Sequence, residues 1–176
     1  MRGIGRLVGA LCLALVASCG PAPEVAGDAG ARRMAAEADS GFAAVQRRGD
    51  VAMGVDQYTS THQFQPLPDG GRIELQRDTV DRAGRTQILE HMGRIATAFG
   101  EGDFALPGFV HAREVPGTRI MANRRDAISY TVESLPRGAA LRLRTGDSAA
   151  VRAIHEFLAF QRMDHRAGSG THHQGE

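Results

Sequence analysis

Two similar segments, 68 positions apart, constrain the fold of this sequence more than any other feature. In each, short stretches that alternate apolar and polar side chains flank a turn that contains proline and glycine: residues 61–67 and 70–75 in the first copy, 129–135 and 138–143 in the second. Period-two alternation on both sides of such a turn is typical of a β-hairpin. The apolar positions match in register, with Phe64, Ile73 and Leu75 corresponding to Val132, Leu141 and Leu143.

Each predicted hairpin is followed by a pattern that predicts an amphipathic helix. The first helix is expected to end at Gly100, and the second to begin at Asp147 as its N-cap residue. The apolar positions at helical spacing are Ile88, His91, Met92, Ile95, Ala96 and Phe99 in the first helix, and Val151, Ile154, His155 and Leu158, widened by Phe157 and Phe160, in the second. We therefore predict an α+β fold of order ββαββα, in which the two hairpins form one antiparallel sheet and both helices pack on one face.

Two further segments have less regular patterns. Residues 104–123 contain Pro107-Gly108 and Pro116-Gly117 and are predicted to form a long connection, and such connections often carry function. The segment from Gly20 to about Val51 is rich in alanine, glycine and charged residues, which suits a tether. Apolar side chains at helical spacing between residues 31 and 45 leave a weak amphipathic helix as an alternative there.

The amino-terminal segment resembles the lipobox signal of bacterial lipoproteins. Arg2 and Arg6 precede an apolar run of 11 residues, 7–17, which is too short to span a membrane as a helix, and Ser18-Cys19 follow. The resemblance implies cleavage before Cys19, diacylation of its thiol and acylation of the new amino terminus. The alternative is an ordinary secretory signal with an incidental cysteine.

These patterns divide the chain into four parts. We expect a signal peptide over residues 1–18, a partly disordered or weakly helical tether over 19–52, an α+β domain with the internal repeat over 53–166, and a disordered tail over 167–176. The lipid would anchor the protein in the cell envelope. In a Gram-negative cell Gly20 avoids the aspartate that favours retention at the inner membrane, so the periplasmic face of the outer membrane is the expected location.

Charge and cysteine content exclude several function classes. The net charge is +1, from 21 basic and 20 acidic residues, so no overall field favours nucleic acid. Both cysteines are accounted for in the expected processing, because Cys12 leaves with the signal and Cys19 carries the lipid. We therefore expect no disulfide, redox pair or thiolate metal site.

Histidines are the main candidates for a functional site. His62 lies on a predicted strand on the same face as Phe64, while His91 and His155 lie on or beside the apolar faces of the two helices. If the elements pack as predicted, these three converge, and His111 in the connection is a fourth candidate metal ligand. Met92 and Met121 as auxiliary ligands would suit copper, and histidine with Glu90, Asp103 or Asp164 would suit zinc. The spacing contains no H-x-x-x-H, so the alternative is that each histidine is hydrogen-bonded separately at the edge of the core.

Short motifs over most of the predicted domain resemble a family of short exported bacterial proteins. The resemblance itself implies no activity, although some members are labelled aspartate carbamoyltransferase. Transcarbamylases have a Ser-Thr-Arg-Thr loop and two substrate domains, and this chain has neither that motif nor that length, so we disfavour this activity. The motifs lie at residues 53–56, 61–64, 102–104, 110–111, 115–117, 128–130, 153–157 and 161–165.

The sequence thus predicts an envelope lipoprotein whose small domain binds a ligand or a partner, in preference to an enzyme. A site for copper or zinc on His62, His91, His111 and His155 is the sharpest form of this hypothesis. The alternative is a metal-dependent hydrolase, or another small envelope enzyme, that uses His91, His111 or His155 as a ligand or general base. The expected partners are the membrane, through the lipid, and an unidentified envelope protein, with no nucleic acid.

Overall fold

The computed structural model describes residues 26–54 and 59–167, so Cys19 and the signal segment lie outside the described residues, as does nearly all of the tail. The elements in chain order are helix α1 (Ala26–Met53), strands β1 (Ser60–Leu67) and β2 (Gly70–Arg77), helices α2 (Arg82–Glu101), α3 (Ala105–His111) and α4 (Thr118–Asn123), strands β3 (Ile128–Leu135) and β4 (Gly138–Thr145), and helix α5 (Ser148–Asp164). A search of the described helices for a membrane span, by length and hydropathy, finds none.

The four strands form one antiparallel sheet in the order β1-β2-β4-β3, which confirms the predicted α+β fold. The two hairpins meet through their second strands. Ile73 of β2 lies opposite Leu141 of β4, its own counterpart in the repeat. The two copies are therefore related by an approximate two-fold axis that passes between these residues.

Both repeat helices pack on the same face of the sheet, but each covers the other copy's hairpin. Helix α2 contacts mainly β3 and β4, whereas α5 contacts mainly β1 and β2. Most strand residues at the centre of this face are apolar and buried, among them Phe64, Leu75 and Leu143, because successive side chains of a strand point to opposite faces. The core therefore joins both copies and belongs to neither alone.

The two hairpin turns need glycine for a shared reason. A Cβ atom at Gly70 would overlap the carbonyl oxygen of Leu143, and one at Gly138 would overlap that of Leu75. Gly70 and Gly138 are counterparts in the repeat, and so are Leu75 and Leu143. Close approach of the backbones at both ends of the central β2-β4 pair therefore requires the same residue in both copies.

The helix termini agree with the sequence except at the end of α2. Asp147 caps α5 as predicted, accepting hydrogen bonds from the backbone N–H groups of Ala149 and Ala150. Helix α2 continues through the predicted stop at Gly100 and ends at Glu101. Gly102, with φ of 81°, takes the left-handed conformation that closes the helix. Gly100 stays helical because the terminating conformation falls two residues later.

Residues 104–123 connect the two repeats as predicted, but they do not form a loop, because they contain the two short helices α3 and α4. Pro107 lies in the first turn of α3, where its missing N–H removes no helix hydrogen bond. Gly117, with φ of 83°, directly precedes α4, so the second Pro-Gly pair forms a helix start. Both Pro-Gly pairs therefore lie at the beginning of a helix, although their composition is typical of a loop.

Residues 26–53 of the expected tether form helix α1, which agrees with the helical alternative and not with an irregular chain. Residues 30–41 of α1 are all exposed, whereas Val45, Gln46 and Gly49 are buried. This second half of α1 packs against α3, where the Nε of Arg48 donates a hydrogen bond of 2.6 Å to the carbonyl of Val110. Helix α1 therefore consists of a first half that is exposed from residue 30 on and a docked second half.

Candidate functional site

A small pocket lies on the helix side of the sheet, beneath the docked half of α1. Its volume is about 80 Å³. Ordinary small-molecule sites occupy roughly 300–1,000 Å³, so this pocket suits an ion or a very small molecule. Its lining residues are Gly49, Ala52, His62, Phe64, Ile73, Leu75, His91, Met92, Ile95, Phe99, Leu106, Pro107, Val110, His111, Phe157, Gln161 and His165.

The histidine pocket, as we call it, combines four imidazole rings with apolar walls. Three of the four predicted ligands, His62, His91 and His111, line it, and His165 joins them. No acidic or cysteine side chain is among the described residues of its lining. Its polar atoms therefore come from neutral side chains and imidazoles.

His91 of α2 has one ring nitrogen without a partner. Only 4% of the residue is exposed, and it hydrogen-bonds to the backbone of Ala52 in α1. Its Nδ1 is buried and makes no hydrogen bond to any described residue. Because Nδ1 has no partner in the described part of the chain, we assign the ring proton to Nε2, as the donor to this carbonyl, which leaves a bare lone pair on Nδ1. Burial, with a contribution from Arg94, lowers the pKa of His91 to about 4.

His62 and His165 stack against each other beside Phe64. Their ring centroids are 5.1 Å apart, and each ring lies within 6 Å of the Phe64 ring. Burial is the main reason that the pKa falls to about 4 for His62 and about 3 for His165, and neighbouring histidines lower both further. The Nδ1 of His165 is also buried without a partner in the described part of the chain. The stack thus presents a second unpaired nitrogen.

His111 differs because both of its nitrogens are engaged. Nδ1 lies 2.5 Å from Oδ2 of Asp164, and Nε2 lies 3.0 Å from the side-chain oxygen Oε1 of Gln161. Its ring packs edge-on against His165, with centroids 5.1 Å apart. The Asp164 carboxylate accepts from Nδ1–H and fixes the ring. His111 is therefore a structural residue of the pocket lining. It could bind a ligand only after its contacts to Asp164 and Gln161 of α5 were broken.

The predicted ligand His155 lies outside the histidine pocket. Its Nε2 lies 2.9 Å from the carbonyl oxygen of Leu67, at the end of β1. His165, ten residues further along the chain, is about 15 Å away by helix geometry. The expected convergence of His62, His91 and His155 is therefore not what the structure shows. Packing of the last turn of α5 over β1 brings His165 to the site instead.

Most of the methionines and carboxylates considered from the sequence as further metal ligands do not line the histidine pocket. Met92 lines the histidine pocket, whereas Met121 is fully buried elsewhere in the core. Of the carboxylates considered for zinc, Glu90 and Asp103 do not line it, and Asp164 binds His111. Within residues 26–54 and 59–167, no three histidine, cysteine, aspartate or glutamate side chains are placed to hold one metal ion.

Comparisons with known proteins yield no relative: no family model matches the chain, and no curated protein or solved structure matches it significantly.

Proposed function

We propose that this protein is a lipid-anchored binding module of the bacterial cell envelope and that its ligand occupies the histidine pocket. The observation that carries the proposal is the bare Nδ1 of His91, enclosed among apolar side chains. An unsatisfied buried polar atom costs about 1–3 kcal/mol. A ligand that offers a hydrogen-bond donor or a metal ion to this nitrogen would recover that free energy.

The composition of the pocket favours binding over catalysis. Hydroxyl and thiol nucleophiles act beside a base, and the described lining has no serine, threonine or cysteine to act in this way. The His111–Asp164 pair resembles a general base with its orienting carboxylate, yet its Nε2 already faces Gln161. The groups left unpaired in the described lining of the pocket are the Nδ1 atoms of His91 and His165, and a bound ligand could pair with both.

Helix α1 supports the anchored arrangement. It begins seven residues after Cys19 and reaches the pocket at Gly49 and Ala52. At 1.5 Å per residue, the pocket lies about 35 Å from the start of the helix. A rigid helix whose first half is exposed would hold the binding domain clear of the membrane surface.

The anchor is tested by labelling with radioactive palmitate in a bacterial host. We expect label on the wild-type chain, none on Cys19→Ser, and accumulation of the unprocessed chain with globomycin. An unlabelled wild-type protein that is released into the periplasm would contradict the anchor.

The histidine pocket is tested with xenon, which enters small apolar cavities. We expect xenon pressure to shift the methyl NMR signals of Ile95 and Val110, which line the pocket, and Ala52→Leu to abolish the shifts by filling it. Ala35→Leu on the exposed half of α1 is the matched control and should behave as wild type. Shifts confined to methyl groups outside the pocket, or insensitive to Ala52→Leu, would contradict the proposal.

A further inference from the structure

We infer that the histidine pocket selects a soft monovalent metal ion, cuprous copper, and that the Nδ1 atoms of His91 and His165 and the thioether of Met92 supply its ligands. This inference rests on the proposed function, because it names the ligand of the same pocket. Three features of the pocket carry it: the charge of its donors, their number and their chemical type.

The donors carry no negative charge. The described lining contains no carboxylate or thiol, and the nearby Asp164 is engaged with His111. The solvation free energy that an ion loses on burial grows with the square of its charge, so a divalent ion would lose about four times as much as a monovalent one. Neutral ligands in apolar surroundings therefore favour a monovalent ion over Zn²⁺ or Cu²⁺.

The number of donors also argues against zinc. Zinc sites in proteins use three or four histidine, cysteine or carboxylate ligands, and the described residues bring no three of these together. Cuprous ions are satisfied by two or three soft ligands. Two unpaired imidazole nitrogens and one sulfur match that requirement.

The third donor is of the soft type that copper prefers. Met92 follows His91 in α2, is only 2% exposed and lines the same pocket. Thioethers bind cuprous copper well and zinc poorly. A methionine also packs as an apolar residue, so it fits the wall of the pocket whether or not an ion is present.

The experiment measures the affinity of the full chain in detergent for Cu(I), under anaerobic conditions and against a chromophoric chelator, and for Zn(II) in a parallel titration. Cys12 and Cys19 are both replaced by serine so that no thiol competes. We expect one Cu(I) per chain and weaker Zn(II) binding. His91→Gln should weaken Cu(I) binding at least about 100-fold and Met92→Leu at least about 10-fold.

Matched controls separate the site from general effects. Met163→Leu, at an exposed position of α5, and His155→Gln, outside the pocket, should leave Cu(I) affinity unchanged. Met92→Leu conserves volume, so it tests the thioether even if His91→Gln unfolds the protein. Thermal melts of every variant show which ones remain folded.

Each contrary outcome has a distinct meaning. Zn(II) binding as tight as Cu(I), or Cu(I) binding that is indifferent to Met92→Leu, overturns the copper assignment and leaves the pocket as a binding site. Xenon binding without Cu(I) binding also overturns the copper assignment and leaves the pocket as a binding site. Absence of both xenon and Cu(I) binding overturns the proposed function as well.

Discussion

At the scale of single residues, the main feature is a set of buried imidazoles that stay uncharged. His62, His91 and His165 line one pocket with apolar walls, and each has a pKa well below that of a free histidine. A charged imidazole in this pocket would lose its hydration and repel its neighbours. The native state therefore favours the neutral rings, which makes its stability depend on pH.

We predict that the metal-free protein loses stability as the pH falls from about 6.5 to about 4. In this range the unfolded chain binds protons at the three histidines, because a solvent-exposed histidine has a pKa of about 6.5, and the folded chain does not. Stability is thus fully present above pH 6.5 and declines below it, by up to about 1.4 kcal/mol per pH unit for each histidine.

Urea unfolding at pH 7.5, 6 and 5 measures this decline. His62→Gln should reduce the slope by about one proton, while His155→Gln, outside the pocket, serves as the comparison. A free energy of unfolding that is flat between pH 7.5 and 5 would contradict the buried, neutral cluster.

The sequence predicts only some of the histidines that line the pocket, and the reason is physical. Periodicity places His62 on the core face of a strand and His91 on the core face of a helix, and both line the pocket. It cannot show that α5 crosses onto β1, which brings His165 into the site and directs His155 to the carbonyl of Leu67. That choice depends on helix placement in three dimensions.

At the scale of elements, the short helices α3 and α4 connect the two repeats and are fixed by tight backbone contacts. Gly117 precedes α4 with φ of 83°, and a Cβ atom there would overlap the carbonyl oxygen of Ala153 in α5. The position therefore demands glycine both for its backbone conformation and for its packing. By contrast, Gly93 in the middle of α2 faces open space.

These two glycines predict opposite effects of alanine. Gly117→Ala should destabilise the protein by about 2–3 kcal/mol, because it combines an unfavourable φ with an overlap against backbone. Gly93→Ala should stabilise it by about 0.5–1 kcal/mol through higher helix propensity. Chemical denaturation of both variants beside the wild type measures the difference, and effects of the same sign would contradict the account.

Element prediction from the sequence succeeds where the pattern is long and periodic. The four strands and both repeat helices lie where alternation and helical spacing indicate them. Prediction fails at the end of α2 and in the connection between the repeats. The pattern indicates a helix stop at Gly100 and loops at the two Pro-Gly pairs, whereas the helix ends at Glu101 and both pairs lie at helix starts. Proline is tolerated in the first turn of a helix and glycine at its start, so composition alone does not separate these cases.

At the scale of the whole molecule, the two repeat copies depend on each other. Helix α2 covers the second hairpin and α5 covers the first, and the central strands β2 and β4 pair across the approximate two-fold axis. Each copy alone would expose the apolar face of its own hairpin and of its own helix. The pocket follows from the same exchange, since His62 comes from the first copy and His165 from the second.

This exchange predicts that neither copy folds alone. Fragments 59–101 and 125–167 should each show no cooperative unfolding transition by circular dichroism, because their helices lack the hairpin on which they pack. Mixed in equal amounts, the fragments should regain a cooperative transition. A fragment that melts cooperatively by itself would show that the exchanged packing is not what holds the core together.

The central claim, that the histidine pocket is the binding site, is tested most directly by long-range ¹H–¹⁵N NMR of the histidine rings in the full chain with Cys12 and Cys19 replaced by serine. Without metal, His91 should show the neutral form protonated at Nε2 at pH 7. One equivalent of silver(I), a stable stand-in for cuprous copper, should shift Nδ1 of His91 and His165 and leave His155 unchanged. A response confined to His155 or to His172 and His173 of the tail would contradict the account.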